Sequence, residues 1–170
     1  MSVKQSMSRE SVKIEEYSER HAKSISEHLF KGVPDDVIRS QREELLRPGP
    51  EEVFSVCAVS GSQVVGVCTG VRMRWYGSRH RIEMVQVVVS EEFRGQGVAR
   101  LMMKRISEHF ALRGVEIIQI SAEARNKIAI AAYEHIGFKR FGTLKDGICH
   151  DGEHSDEILM ALPIDDLLDK

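Results

Sequence analysis

The chain reads as a mixed α/β fold, a mixed sheet with helices on its faces. Three observations predict it. A strand-like run from Ile82 to Val89 feeds a glycine turn and an amphipathic helical stretch. A second run, 115–122, is rich in β-branched residues and lies between two helical segments, as a strand buried on both faces would. Elsewhere the hydrophobic period alternates between that of helices and that of strands, in the order β-αα-βββ-α-β-α-ββ.

Each element has its own warrant. Residues 11–15 form a short first strand. Ser18 caps a helix from Glu19 to about Phe30, with Ala22, Ile25 and Leu29 at helical spacing, and Gly32 ends it. Pro34-Asp35-Asp36 opens a second helix, striped by Val37, Ile38, Leu45 and Leu46 and stopped by Arg47-Pro48-Gly49-Pro50. Runs 53–60 and 64–74 are strands joined by Gly61-Ser62-Gln63, a hairpin signal. Trp75-Tyr76-Gly77-Ser78 is a turn before the strand 79–89. A helix from about Val98 to Leu112 stops at Gly114, and another from Asn126 to Ile136 stops at Gly137. Runs 138–144 and 157–162 are the last strands, linked by a polar loop, 145–156.

The totals bound the class. At 170 residues the chain makes one domain, 11–164, between a flexible N-terminus, 1–10, and a C-terminal tail, 165–170. With 42% hydrophobic and 29% charged residues it has the balance of a soluble globular protein. A net charge of −2 provides no footprint for nucleic acid. The longest apolar run, 84–89, is broken by Gln86 and is far too short to span a membrane. The segment MSVKQSMSRES has no apolar stretch of the kind secretion signals carry. Cys57, Cys68 and Cys149 have no paired spacing, which suits reduced thiols in the cytoplasm.

The chemistry concentrates at Phe93-Arg94-Gly95-Gln96-Gly97-Val98-Ala99. The first N–H groups of a helix lack intrahelical partners, and the macrodipole adds about half a positive charge there. Glycines at 95 and 97 allow a ligand close to the backbone. The turn is therefore a cradle for a phosphate-bearing cofactor. It lacks the Gly-Lys-Ser/Thr ending of a P-loop and the third glycine of a dinucleotide fold.

Downstream lies Asn126-x-x-Ala129-x-x-x-Tyr133-x-x-x-Gly137-Phe138. Together with Arg94-x-x-Gly97-x-Ala99, this series resembles the acetyl-CoA signature of the GCN5-related N-acetyltransferase (GNAT) superfamily. The resemblance is strong over about 80–140. It implies a central, mostly antiparallel sheet of six to seven strands flanked by four helices. It also implies acetyl-CoA as donor substrate, held by Arg94, Gly95, Gln96, Gly97, Val98, Ala99 and Arg100 at the pyrophosphate. Backbone groups at Val87, Val88 and Val89 would bind the pantetheine and acetyl carbonyl, and Asn126 the pantetheine arm. Tyr133, two helical turns from Asn126 on one face, would protonate the leaving thiolate; a buried aromatic anchor is the other reading. Asn126 also reads as a plain helix cap.

Transfer to an amine needs a base. Glu83, sharing a face with Val85, Val87 and Val89 by alternation, resembles the base of the histone acetyltransferase branch; a surface glutamate is the alternative. Glu123 is the second choice. The branch that acetylates ribosomal proteins has a glutamate where Ser121 aligns here. The segment from Asp151-Gly152 to Met160 is similar to the C-terminal hairpin of the phosphinothricin and amino-acid acetyltransferases, which borders their acceptor site. Trp75 and Tyr76 suit either an acceptor pocket or a turn packed on the sheet. Arg72, Arg74, Arg79 and Arg81 suit an acceptor carboxylate or a solvated face. Cys149 to His154 reads as a solvated turn rather than a metal site.

The expected activity is direct acetyl transfer from acetyl-CoA to a primary amine of a small molecule: an amino acid, a polyamine or an amino-bearing drug. The alternatives are acetylation of a protein N-terminus or lysine, and a non-catalytic CoA sensor. No nucleic-acid or membrane partner is expected. The resemblance allows a homodimer, though no stretch of the sequence marks an interface.

Overall fold

The computed structural model describes residues 11–169; the expectation of a flexible 1–10 segment lies outside the described residues. The seven strands are β1 (Lys13–Glu16), β2 (Val53–Ser60), β3 (Gln63–Arg72), β4 (Arg81–Val89), β5 (Ile117–Glu123), β6 (Lys139–His150) and β7 (Glu153–Pro163). The helices are α1 (Ala22–His28), α2 (Asp35–Leu46), α3 (Val98–Ala111), α4 (Lys127–Ile136) and α5 (Ile164–Leu168). The sheet runs β1-β2-β3-β4-β5-β7-β6. Every pair is antiparallel except β4–β5, which α3 connects as the crossover that parallel strands require.

Alternation divides the sheet between two cores. Phe54, Val56, Ile82, Met84, Ile118, Ile120 and Met160 face Met102, Met103, Ile106 and Phe110 of α3, with α4 and α5 joining that side. Ala22 and Ile25 of α1 and Ile38 of α2 cover Cys57, Val64 and Val67 on the other side. There the buried Arg42 donates from Nη1 to the hydroxyls of Ser55 (3.1 Å) and Thr69 (2.9 Å) and lies over the Tyr17 ring. It pins α2 to the sheet.

At Gly70 α3 comes close to the sheet. A Cβ there would lie 2.5 Å from Ile106 Cγ2 and 3.0 Å from Phe110 Cε2, both on fully buried side chains. Gly70→Ala is expected to cost about 1–3 kcal/mol by overpacking, read from urea denaturation.

β4 contains the irregularity that matters most. Thr69 pairs with Val85 and Val67 with Val88, so β4 spends one more residue than β3 over this stretch. The extra residue is Gln86, at φ 53°. A bulge of this kind shifts the alternation. Glu83 and Val85 face the α1–α2 side, whereas Val87 and Val89 pack with the α3 core. The expectation that all four share one face is therefore corrected.

Other boundaries differ for physical reasons. The helix expected from Glu19 begins as a 3₁₀ turn, Glu19–His21, and α1 ends at His28. β3 stops at Arg72 and β4 starts at Arg81, with a 3₁₀ turn at Tyr76–Ser78 between them. β5 is buried on one face only: Ile118, Ile120 and Ala122 are covered, while Gln119, Ser121 and Glu123 are half-buried. The polar loop expected at 145–156 is instead strand. β6 and β7 pair to their tip at Asp151-Gly152, and the polar stretch is absorbed by a register shift between Leu144 and Ile148. Asp146, at φ 55°, steadies that shift by donating its N–H to Asp156 Oδ1 (3.0 Å). The expected C-terminal tail contains α5, whose Ile164 and Leu167 are buried, raising the helix count among the described residues to five. Among the described residues no helix is long and apolar enough to cross a membrane.

Candidate active site

The parallel pairing of β4 with β5 ends at Met84–Ile120, yet β4 continues to Val89 and β5 to Glu123. Beyond that point the strands part, and β4 turns unpaired backbone groups toward the opening. Such groups need partners, and an amide-bearing ligand can supply them. The opening leads into a cleft of about 660 Å³ lined by Val87, Val88 and Val89, by the turn from Phe93 to Arg100, and by α4. Gly95 and Gly97 have φ of 70° and 79°, in the left-handed region where a side chain is strained. Gly97 caps α3 without any side-chain acceptor, so the leading N–H groups of that helix are left for a ligand.

Arg94, Gly95, Gly97, Val98, Ala99 and Arg100 all line the cleft, as do Asn126 and Tyr133. Gln96 does not: its amide turns back to donate to the Glu92 carbonyl (2.7 Å), bracing the turn from outside. Arg94 similarly donates from Nε to the Val89 carbonyl (3.1 Å), tying the turn to the strand end. Four lining residues lay outside the sequence reading, Ile128, Ala132, His135 and Ile136, and a fifth, Phe93, stood in the glycine-turn motif without an assigned role. The signal was there in α4, which is apolar on two faces. Ile130, Tyr133 and Ile136 are buried, while Ile128 stays 74% exposed at the cleft. A helix apolar beyond its core stripe has a second surface to cover.

Asn126 caps α4, its Oδ1 accepting from the Ala129 N–H (3.0 Å), which leaves its amide N–H₂ as a donor. Tyr133 is only 8% exposed and packs against Phe138. Its hydroxyl has no hydrogen-bond partner among the described residues. Burial, with a smaller contribution from Cys68, pushes its pKa up to about 12. At neutral pH it is a phenol, able to donate.

The two candidate bases separate clearly. Glu123 accepts from Ser155 Oγ (2.6 Å) and lies 3.7 Å from Arg125, which also pairs with Glu153. Glu83 has no such partner among the described residues. It sits half-buried one residue before the strands part, and burial, then the charge of Glu157, hold its pKa above the usual carboxylate range. Its face is that of Thr69, Val85 and Gln119, opposite the side to which α4 brings Tyr133.

The structure leaves the remaining candidates outside this arrangement. Trp75 and Tyr76 are 80% and 92% exposed, at the opposite end of β4 from the cleft, too open to pack on the sheet. Arg72 donates to the carbonyls of Arg79 and Arg113, and Arg79 pairs with Glu52. Cys149 pairs with His154 and His150 with Glu153 across the extended hairpin.

A helix-capped anion cradle beside a parted parallel pair defines a fold for binding an acyl-CoA. The chain belongs to the acetyltransferase (GNAT) family, whose sequence model matches residues 16–138. It is 30% identical over 81 residues to the [ribosomal protein bS18]-alanine N-acetyltransferase of Salmonella typhimurium, a match covering 48% of this chain and 55% of that protein. It thus spans about half the length of that relative. Against N-alpha-acetyltransferase 30 of Schizosaccharomyces pombe it is 25% identical over 133 residues, 78% of this chain and 87% of that one. The fold is similar to an N-acetyltransferase structure from Staphylococcus aureus Mu50, with a TM-score of 0.75, 18% identity, and 91% and 99% of the two chains covered.

Proposed function

We propose that the protein is an acetyl-CoA-dependent N-acetyltransferase acting on the primary amine of a small molecule. The observation that carries this reading is the gap between β4 and β5, with a Tyr133 hydroxyl on one side of the sheet and Glu83 on the other, both without partners among the described residues. The residues fit the donor. Unpaired N–H groups at α3 suit a pyrophosphate, and the parted strands suit a pantetheine amide.

In this reading Val87 to Val89 orient the thioester with their backbone groups. Glu83 takes the proton shed by the attacking amine as the nitrogen–carbon bond forms. Tyr133 meets the sulfur as the carbon–sulfur bond breaks. Full proton transfer from a phenol at about 12 to a thiolate of ordinary pKa about 8.5 is uphill by roughly 5 kcal/mol. Tyr133 therefore stabilises the departing charge as a hydrogen-bond donor, and exchange with solvent completes the thiol. Direct transfer is supported by the cysteines, since none of the three lines the cleft. Burial pushes the thiols of Cys57 and Cys68 up to about 12, too high for either to carry an acyl group as a thiolate. Neither is in a disulfide, which suits the cytoplasm.

Acetylation of a protein N-terminus is the second reading, favoured by the names of the bS18-alanine and N-alpha-acetylating relatives. Thiol release from acetyl-CoA with alkyl amines, amino acids, polyamines, amino-bearing drugs and peptides tests both. Small amines are expected to turn over faster than any peptide. A peptide preference transfers the role to the second reading, and tight CoA binding with no turnover points to a sensor. Ala129, on the cleft wall, supplies a donor-side test: Ala129→Leu is expected to raise KM for acetyl-CoA about tenfold by filling space the cofactor needs, with circular dichroism unchanged.

A further inference from the structure

The face across the sheet from Tyr133 carries more hydrogen-bond acceptors than one amine requires. Glu83 pairs with Gln119 on β5, and Ser121 and Glu123 follow on the same face. Glu157 of β7 stands opposite Glu123, between it and Leu144 of β6. Glu123 is occupied by Ser155 and Arg125, whereas Glu157 is half-buried with no ion-pair or hydrogen-bond partner among the described residues. The Gln119 side-chain oxygen is buried and has no hydrogen-bond partner among the described residues. Arg81, two residues before Glu83, forms no ion pair among the described residues and is not among the groups that shift Glu83. Two carboxylates unpaired among the described residues thus flank Gln119 and Ser121, and the charge of Glu157 reaches Glu83.

Like charges on a half-buried surface repel, and one ammonium neutralises only one of the two. We infer that Glu157 is a specificity-determining residue, holding the distal ammonium of an alkyl diamine whose other amine is acetylated beside Glu83. This rests on the reading of the Glu83 face as the amine side. Glu157 takes no part in the chemistry: the new nitrogen–carbon bond forms at the amine next to Glu83, which receives that amine's proton. The carbon–sulfur bond breaks on the Tyr133 side, and the distal ammonium keeps its protons. β7 and β6 extend the sheet beyond β5 at this end, so the chain between the two nitrogens would run along Ser121 toward the hairpin.

The test compares putrescine with n-butylamine, which share a four-carbon chain and differ by one ammonium. The wild-type protein is expected to show kcat/KM at least about tenfold higher for putrescine. In Glu157→Gln that ratio is expected to fall to near one while n-butylamine changes by less than about twofold. Glu157→Asp, which keeps the charge, should restore part of the preference. Equal efficiencies in the wild type, or equal losses for both amines in Glu157→Gln, would overturn the inference while leaving the small-amine reading standing. If neither amine is turned over but a peptide is, the small-amine reading fails and this inference falls with it.

Discussion

Tyr133→Phe is expected to lower kcat by about a hundredfold while leaving KM for acetyl-CoA within about twofold of the wild type. The split follows from what the substitution removes. The ring fills the space between α4 and the sheet and packs against Phe138, and phenylalanine keeps both contacts. Only the hydroxyl goes, and it has no partner within the described protein. A group engaged only as the thiolate departs contributes to kcat and not to donor binding. An unchanged kcat would reduce Tyr133 to the buried anchor that its 8% exposure also allows.

The second large effect is at Glu83. Glu83→Gln is expected to lower kcat/KM for the amine about a hundredfold at neutral pH and to remove the limb of the pH profile that Glu83 contributes, leaving that of the amine's own deprotonation. The sign follows from the raised pKa. A carboxylate acts as base only when ionised, so wild-type activity should fall as pH drops through a value above the usual carboxylate range. Glutamine has no such limb. The same shift has an opposite consequence for stability. A carboxyl whose folded pKa is raised is held more tightly protonated by the folded state, so its ionised form weakens the fold at pH values above the shifted pKa. Glu83→Gln should therefore melt no lower than the wild type at pH 7, pairing lost activity with unimpaired stability. Initial rates across pH and a thermal melt of both proteins check the two halves separately.

Much of this site could be read along the chain because its parts are local. A glycine turn, a helix start and the Asn126–Tyr133 spacing are each set within a dozen residues, and all of them line the cleft except Gln96. What the sequence hid depends on partners far away in the chain. The bulge at Gln86 exists only relative to β3, and it reversed which face Val87 and Val89 share with Glu83. Glu123 could not be set aside until Ser155 and Arg125 were seen to hold it. The long hairpin was concealed by its polar composition, since β6 is an edge strand whose side chains face solvent on both sides along most of its length. Trp75 and Tyr76 show the converse, aromatic residues that stay mostly exposed.

The central claim is that donor and amine meet across the parted strands in a single ternary complex, with Glu83 and Tyr133 on opposite sides of the reacting carbon. Initial rates measured over a grid of acetyl-CoA and amine concentrations test it most directly. Lines that intersect in double-reciprocal form, with no acetylated protein detected by mass spectrometry when acetyl-CoA is supplied alone, are the expected result. Parallel lines with a stoichiometric acetyl group on the protein would contradict it, because the transfer would then pass through a side chain to which neither Glu83 nor Tyr133 is matched.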